Sequence, residues 1–267
     1  MKHLSPPDGF SIGDLDRPRK VDAVYVLSEK GFHDRIVHSI RELQRHRIDF
    51  EFIFDFDCET LGSEALAAFG ECNLGLPHKA LVLKHLQAWR LACKHRHGRI
   101  LVFEDDVLLH RWFQRLLSEA LSATDKLEAG WLVFLGGADT KVPDRFFSEP
   151  GPLISMPIAT AEGYVTDLAA CERRLSWCAQ HAIVLPADAL IRHIDAAMGI
   201  RQYWLARPAV EQGSVTGRFV SKLDGHRMKH SRLVNAARNR WNKIHRRMLR
   251  KWWLRLPLRK FGSRNGY

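Results

Sequence analysis

The chain has 267 residues, 46% hydrophobic and 27% charged, a composition that excludes wholesale disorder and fits one large α/β domain with at most a small addition. No apolar run approaches the roughly 18 residues needed to cross a bilayer, and the first residues lack the apolar segment of a signal peptide. Five scattered cysteines without a Cys-x-x-Cys pair argue against a disulfide scaffold or a zinc site. We therefore expect a cytoplasmic protein with reduced thiols.

Short apolar segments alternate with amphipathic ones along most of the chain. Strands are predicted at 22–28, 49–57, 99–109, 131–137 and near 163–165. Helices are predicted at 32–46, at 79–95, from about 111, at about 168–181 and after Pro186. The segment 138–157 contains four prolines and is predicted to be a long loop. Strands alternating with helices predict an α/β fold with a mostly parallel, Rossmann-type sheet flanked by helices.

The positive charge lies in the C-terminal segment. The formal net charge is +11, from 41 Lys and Arg against 30 Asp and Glu, yet residues 225–267 contain 14 of the basic residues and no acidic one. The other 27 basic residues leave residues 1–224 with a net charge of −3. Such a tail requires an anionic partner: a lipid surface, a nucleic acid or an anionic substrate.

Within this tail, apolar residues recur every three to four positions, and Lys and Arg fill much of the remainder. This pattern predicts a basic amphipathic helix that lies on an anionic membrane surface. The residues predicted to contact the membrane are Trp241, Arg247, Lys251, Trp252 and Trp253. Packing of the apolar stripe on the protein body is one alternative. Nucleic-acid binding is another, although no zinc finger, RNA-binding signature or basic zipper accompanies the tail.

The acidic run Glu104, Asp105 and Asp106 directly follows the apolar run Ile100–Phe103. Alternation along a strand would place Glu104 and Asp106 on one side and Asp105 on the other. Crowded carboxylates repel one another unless a cation is present, and Mg²⁺ or Mn²⁺ commonly binds one or two carboxylates together with phosphates and water. Glu104 and Asp106 are therefore candidate metal ligands, and capping of the following helix is the alternative.

Gly136 and Gly137 end the next predicted strand, where they would either let the backbone approach a ligand or form a tight turn. The sequence contains no G-x-x-x-x-G-K-[ST] loop, no G-x-G-x-x-G after the first strand and no G-x-S-x-G elbow. ATPase, dehydrogenase and α/β-hydrolase functions therefore lose their main support.

The ordered motifs resemble glycosyltransferase family 25, the bacterial lipooligosaccharide and lipopolysaccharide sugar transferases, over most of residues 21–223. VDAVYVLSEKGFHDR is similar to the opening strand and loop of the family, with Arg35 at the matching arginine, and FIFDFD places Asp57 at the matching acid. KHLQAWRLACKHRHGRILVFEDDVLL resembles the family's helix and acidic strand, with His85 at its histidine. WLVFLGG, TAEGYVTDLAA, LPAD and RPAVEQGSVTGRFVSKL resemble the segments that follow. The chain departs from the family pattern at Ala80, Leu81 and Lys84, which stand where the family has Gly, Cys and Ser.

The resemblance implies a GT-A-like fold and an inverting transfer of a hexose. The implied donor is UDP-galactose or UDP-glucose, and the implied acceptor is a hydroxyl of the lipopolysaccharide or lipooligosaccharide core. The resemblance also implies that Glu104 and Asp106 bind Mn²⁺ or Mg²⁺. The implied donor-binding residues are Ser28, Arg35, Asp57, Lys84, Glu104, Asp105, Gly136, Gly137 and Gln212. Lys84 would contact the diphosphate or be an ordinary snorkelling lysine. Asp188 is the first candidate for the catalytic base and Asp139 the second, although Asp188 could instead cap the helix after Pro186.

The predicted organisation is an irregular lead-in at 1–20, a GT-A-like catalytic domain at 21–224 and a membrane-surface tail at 225–267. A lipid-linked acceptor implies a peripheral location on the inner face of the cytoplasmic membrane. Two alternatives stay open at this point: a nucleic-acid-binding protein that acts through its tail, and a metal-dependent phosphohydrolase.

Overall fold

The computed structural model describes residues 20–137, 142–143, 151–157 and 160–213, together with positions 241, 244 and 245. Within this part of the chain, the strands are β1 (Ala23–Leu27), β2 (Glu51–Ile53), β3 (Arg99–Glu104), β4 (Val107–Leu109), β5 (Trp131–Phe134), β6 (Leu153–Ser155), β7 (Gly163–Asp167), β8 (Arg201–Leu205) and β9 (Val210–Gln212). The helices are α1 (His33–Arg45), α2 (Ser63–Leu66), α3 (Leu76–His95), α4 (Phe113–Thr124), α5 (Leu168–Gln180) and α6 (Ala187–Ala197), with a 3₁₀ turn at Cys58–Thr60.

The main sheet has the strand order β2-β1-β3-β7-β5-β8-β6. Strands β2, β1, β3, β5 and β8 run in one direction, whereas β7 and β6 run in the other. The predicted α/β class and mostly parallel sheet are confirmed. Because β7 is antiparallel, it begins at the edge of the sheet where β1 and β3 end.

Each face of the sheet is covered by a hydrophobic layer. Along β1, Tyr25 and Leu27 point into one layer and Val24 and Val26 into the other, as strand alternation requires. The first layer contains apolar residues of α3, α5 and α6, and the second contains apolar residues of α1 and α4. The two layers hold the strand ends rigidly at one edge, which is where open α/β sheets bind ligands.

The predicted strand 99–109 is wrong in one respect, because it is two strands separated by a turn at Asp105 and Asp106. β3 pairs with β1 and β7, whereas β4 pairs with β9 in a separate two-stranded sheet. The carbonyl of Asp105 accepts a hydrogen bond from Ser39 Oγ of α1 at 2.9 Å, which helps to hold the chain in this turn. Strand alternation therefore does not determine where Asp106 points relative to Glu104.

The other differences concern elements without a strong periodic signal. β6 lies inside the predicted loop 138–157 and pairs with β8 at the edge of the sheet. β8, β9, α2 and the 3₁₀ turn were not predicted, and α3 begins three residues earlier than expected, with Pro77 in its first turn.

None of the helices in the described ranges combines the length and apolarity needed to cross a membrane. In the C-terminal segment, Trp241 is described and 68% exposed. The other predicted membrane-contacting residues lie outside the described residues: Arg247, Lys251, Trp252 and Trp253.

Candidate functional site

A cavity of about 310 Å³ opens where β1, β2 and β3 end. Its walls come from the segment after β1, the turn after β2, one side of α3 and the acidic turn after β3. Seven of the predicted donor-binding residues line it: Ser28, Arg35, Asp57, Lys84, Glu104, Asp105 and Gln212. Asp106, a predicted metal ligand, also lines it. Residues that are far apart in sequence meet here because parallel strands end at the same edge.

Asp105 ties the first and third strands together. Its carboxylate accepts hydrogen bonds from Ser28 Oγ and from Arg35 Nη1, both at 2.8 Å. Asp105 is buried, so its charge is compensated by these two donors and not by water. We conclude that Asp105 helps to fix the shape of the cavity.

Lys84 is a buried cation in the cavity wall, so the snorkelling alternative is wrong. Its ammonium group donates to the Asp55 carbonyl at 2.7 Å and to Asp57 Oδ1 at 3.2 Å, and lies 3.8 Å from Glu29 Oε1. The chain reaches this arrangement through Phe56, whose φ of 62° is unusual for an aromatic residue. Lys84 thus orients two carboxylates, Glu29 and Asp57, at the rim.

Glu104 lies at the centre of a group of carboxylates. Burial, followed by the charges of Asp106, Glu162 and Asp105, raises the pKa of Glu104 well above its usual value of 4.5. Gln212 Nε2 donates to Glu104 Oε2 at 3.3 Å, and the Glu104 amide donates to the Glu162 carbonyl at 3.1 Å. Such a group favours either a retained proton or a bound cation.

Sequence reasoning missed Glu162 and Glu29. Glu162 is buried just before β7 and lies against Gly136, where an added Cβ would be 3.0 Å from Glu162 Oε1 and 3.0 Å from the Val210 carbonyl. Gly136 therefore allows the Glu162 carboxylate to pack closely against the backbone. Gly136 and Gly137, two of the predicted donor-binding residues, are not among the described residues that line the cavity. The acid in TAEGY was visible in the sequence, but its proximity to Glu104 depends on the antiparallel direction of β7.

The carboxylates fit a divalent cation that is only partly coordinated by protein. Within the described ranges, no three His, Cys, Asp or Glu side chains form a group that could hold a metal ion by themselves. Glu104 and Asp106 offer hard oxygen ligands, which suit Mg²⁺ or Mn²⁺ when phosphates and water complete the shell. The donor set is thus compatible with an ion that binds together with a nucleotide.

His85 is held in the core and not in the cavity. Its Nδ1 lies 3.0 Å from the hydroxyl of Tyr164, which also accepts a hydrogen bond from Trp89 Nε1 at 3.0 Å. Burial, and secondarily the charge of Arg174, lowers the pKa of His85 to about 3, so the ring is neutral at physiological pH. A neutral, buried imidazole supports a structural role.

The two candidate bases lie elsewhere. Asp188 is exposed in the first turn of α6, where the N-cap is Pro186 and not Asp188, and it is not among the residues that line the cavity. Asp139 lies outside the described residues. Their catalytic roles stay predictions.

On the hypothesis of a UDP-sugar donor, which the family resemblance implies, the substitution Lys84→Met should weaken UDP binding by at least tenfold, because Glu29 and Asp57 would lose their shared cation and repel the diphosphate. Isothermal titration with UDP and Mn²⁺ measures this effect. The matched control is Lys94→Met, which removes an exposed lysine from the same helix. Equal UDP affinities for the two variants would contradict the role of Lys84.

Two solved structures show a distant similarity to the chain. The chain is similar to A197 from STIV, with 8% identity and a TM-score of 0.40, over 71% of this chain and 82% of that chain. It is also similar to mannose-1-phosphate geranyltransferase from Thermus thermophilus, with 12% identity and a TM-score of 0.36, over 71% of this chain and 75% of that chain. Both TM-scores are too low to support a conclusion about fold or activity.

Comparison with protein families is more informative, although no curated protein matches the chain. Residues 21–141 match glycosyltransferase family 25, described as an LPS biosynthesis protein. This match confirms the resemblance predicted from the motifs over that range. Every residue that lines the cavity except Gln212 falls within it. The matched range, residues 21–141, contains β1 to β5 and nearly all of the described residues that line the cavity, so the similarity to glycosyltransferase family 25 covers the part of the chain that forms this site.

Proposed function

We propose that this protein is an inverting glycosyltransferase of lipopolysaccharide biosynthesis that moves galactose or glucose from a UDP-sugar to a hydroxyl of the lipopolysaccharide or lipooligosaccharide core. The observation that carries the proposal is the coincidence of the family match with the cavity. The finer features, namely the UDP donor, the hexose and the inversion, rest on the family resemblance.

The charges of the cavity support a nucleotide donor that binds with a divalent cation. Two of the cations that line it, Arg35 and Lys84, already contact carboxylates of the protein. A diphosphate next to Glu104 and Asp106 would be repelled without further positive charge. An Mn²⁺ or Mg²⁺ ion held by these two residues would neutralise charge on the departing UDP.

The roles of the other residues follow from their contacts. Lys84 holds Asp57 and Glu29 in place on the side formed by β2 and α3, which suits recognition of the nucleoside by hydrogen bonds. Arg35 and Ser28 fix Asp105, so the turn that carries Asp106 is rigid before the donor binds.

Inversion requires a base on the face of the sugar opposite to the UDP, and Asp188 and Asp139 remain the two proposals. We expect Asp188→Asn and Asp139→Asn to differ. The variant that removes the base should lower kcat by about 100-fold or more, while KM for the donor changes little. Steady-state kinetics with saturating acceptor measures this, and near-normal kcat in both variants would exclude both residues.

We also propose that the C-terminal segment brings the enzyme to the inner face of the cytoplasmic membrane, where its lipid-linked acceptor lies. The excess of Lys and Arg in residues 225–267 and the exposure of Trp241 support this location.

Thermal unfolding with UDP, UDP-galactose, UDP-glucose and GDP, each with and without Mn²⁺, tests the donor class. A ligand at about 100 times its Kd stabilises the folded state by about 2.7 kcal/mol, which corresponds to a shift of several degrees. We expect Mn²⁺-dependent shifts with the uridine compounds alone. The absence of any nucleotide-dependent shift would contradict the proposal, and release of inorganic phosphate without UDP would indicate a phosphohydrolase instead.

The pH dependence of stability tests the carboxylate group. Because the pKa of Glu104 is raised in the folded state, the folded protein retains a proton that the unfolded chain has lost above about pH 4.5. We therefore expect the unfolding temperature to fall as the pH rises from that value. Added Mn²⁺ competes with this proton for the Glu104 carboxylate, so it should raise the unfolding temperature at higher pH. The affinity of the protein for Mn²⁺ should increase with pH. Glu104→Gln should weaken the pH dependence of both the unfolding temperature and the Mn²⁺ affinity. An unfolding temperature that varies with pH in that variant as it does in the parent would refute the raised pKa of Glu104.

A further inference from the structure

A second feature of the body is unrelated to the cavity lining: an exposed aromatic residue surrounded by basic side chains at the start of α4. Trp112 is 54% exposed, and the Arg111 guanidinium carbon lies 5.1 Å from the centre of its indole ring. We call this region the Trp112 surface, and it consists of Arg45, His46, His110, Arg111, Trp112 and Arg115.

Contacts join these residues into one surface between the end of α1 and the start of α4. Gln114 Nε2 donates to the His46 carbonyl at 2.7 Å, and the His46 ring packs edge-on against Phe113 at 5.8 Å. Arg45 Nη2 lies 3.3 Å from His46 Nε2 and donates to the Leu109 carbonyl at 3.2 Å. The Trp112 amide lies 3.3 Å from His110 Nδ1.

The surface carries a net positive charge. Two acidic residues contact it: Glu42, which is buried and binds Arg45, and Glu119, which Arg115 and Arg207 share. The pKa of His46 is lowered first by burial, then by the charge of Arg45 and, to a smaller extent, by that of His110. The charge of Glu42 raises this pKa. The lowered pKa makes His46 less positively charged, so the positive charge that would attract an anion comes from the arginines, Arg45, Arg111 and Arg115, which outnumber Glu42 and Glu119.

The sequence at this point also breaks the rules of helix formation. The N-cap of α4 is Trp112, which makes no side-chain cap hydrogen bond, where Ser, Thr, Asp or Asn would stabilise the helix. The first turn contains no acidic residue and instead carries Arg115, whose charge opposes the helix dipole.

We propose that the Trp112 surface is a membrane-contact site that binds the anionic headgroups of a lipid bilayer, with the indole in the interfacial layer. Tryptophan and arginine together suit this environment, since the ring is amphipathic and the guanidinium groups bind phosphates. The C-terminal segment of the same chain is an unsuitable occupant, because its 14 Lys and Arg would be repelled. This inference does not depend on the proposed sugar transfer.

The site also lies near the cavity. β4 connects the turn of Asp106 to His110 in three residues, which is on the order of 10 Å of extended chain. Contact at the Trp112 surface would thus hold the acidic turn close to the bilayer, independently of the C-terminal segment.

Flotation of the full-length protein with phosphatidylcholine vesicles, with and without phosphatidylglycerol, tests the proposal. Each arginine near an anionic leaflet changes the partition coefficient by about fivefold, so Arg111→Gln/Arg115→Gln should lower it by roughly 25-fold. Trp112→Ala should lower it independently. The matched control, Arg90→Gln/Arg192→Gln, removes two exposed arginines from α3 and α6 on the other side of the sheet and should bind like the unmodified protein.

Three results would overturn the proposal. The first is equal partitioning of the Trp112-surface variants and the control. The second is binding that is independent of phosphatidylglycerol. The third is a salt-dependent affinity for duplex DNA that the variants abolish while vesicle binding is unchanged. Circular dichroism melting should show that no variant unfolds at a lower temperature than the parent protein, because every substituted side chain is exposed.

Discussion

Replacement of Asp106 by asparagine is expected to lower kcat for sugar transfer by about 100- to 1000-fold while the protein stays folded. Asp106 is buried in the turn after β3, where its carbonyl accepts a hydrogen bond from the Gly213 amide at 2.7 Å. The substitution preserves the shape of the side chain but removes the charge proposed to bind the divalent ion. The loss of one electrostatic group of this kind typically lowers kcat by a factor of about 100 to 1000. UDP release with a lipopolysaccharide acceptor measures the effect.

The unfolding temperature of Asp106→Asn should be equal to or above that of the parent, because one of the mutually repelling carboxylates near Glu104 is neutralised. The control Asp49→Asn removes an exposed carboxylate outside the cavity and should retain full turnover. Turnover of Asp106→Asn within tenfold of the parent, with an unchanged dependence on Mn²⁺, would refute the proposed metal role.

The largest effect on stability is expected for Asp195→Ala. The Asp195 carboxylate accepts hydrogen bonds from Arg174 Nε at 2.7 Å and Nη2 at 2.9 Å, and from Gln202 Nε2 at 2.8 Å. Arg174 is fully buried, its guanidinium 5.1 Å from the Trp89 ring. Removal of the partner leaves this charge uncompensated, which costs about 3–5 kcal/mol. In a domain of this size, that lowers the unfolding temperature by roughly 6–20 °C.

Differential scanning calorimetry measures this loss, and two variants make the result specific. Arg192→Ala, an exposed change on the same helix α6, should shift the midpoint only slightly. The double variant Arg174→Met/Asp195→Leu should recover part of the loss, since an apolar pair replaces the buried ions. Recovery should stay incomplete because Thr166 Oγ1 and Gln202 Nε2 each lose a hydrogen bond. A midpoint for Asp195→Ala within the error of the parent would contradict the argument.

Much of the sheet edge that carries the cavity could be predicted from local patterns. The apolar runs that become β1, β3 and β5 and the periodic segments that become α1, α3 and α5 were all located to within a few residues. The strand ends then placed Ser28, Asp57 and Glu104 at one edge, where the cavity lies. These predictions depend on the rule that parallel strands end together.

Other features of the site could not be predicted in this way. Nothing near Lys84 in the sequence shows that its ammonium group is buried between Asp57 and Glu29, because those partners lie in the distant segments that follow β1 and β2. The break between β3 and β4 was missed because apolar residues resume directly after the acidic run, at Val107, and the contacts of Asp105 with Ser28 and Arg35 depend on distant segments.

The sequence by itself determined the alternation of strands and helices, the acidic run after β3 and the concentration of positive charge at the C-terminus, because each is encoded by residues close together along the chain. The tertiary structure alone decided that β7 runs antiparallel between β3 and β5, which brings Glu162 to Glu104. It also decided that the start of α4 meets the end of α1 and gathers the basic residues around Trp112. Both depend on contacts between distant segments, whose pairing and direction are set by the packing of the whole sheet and not by local periodicity.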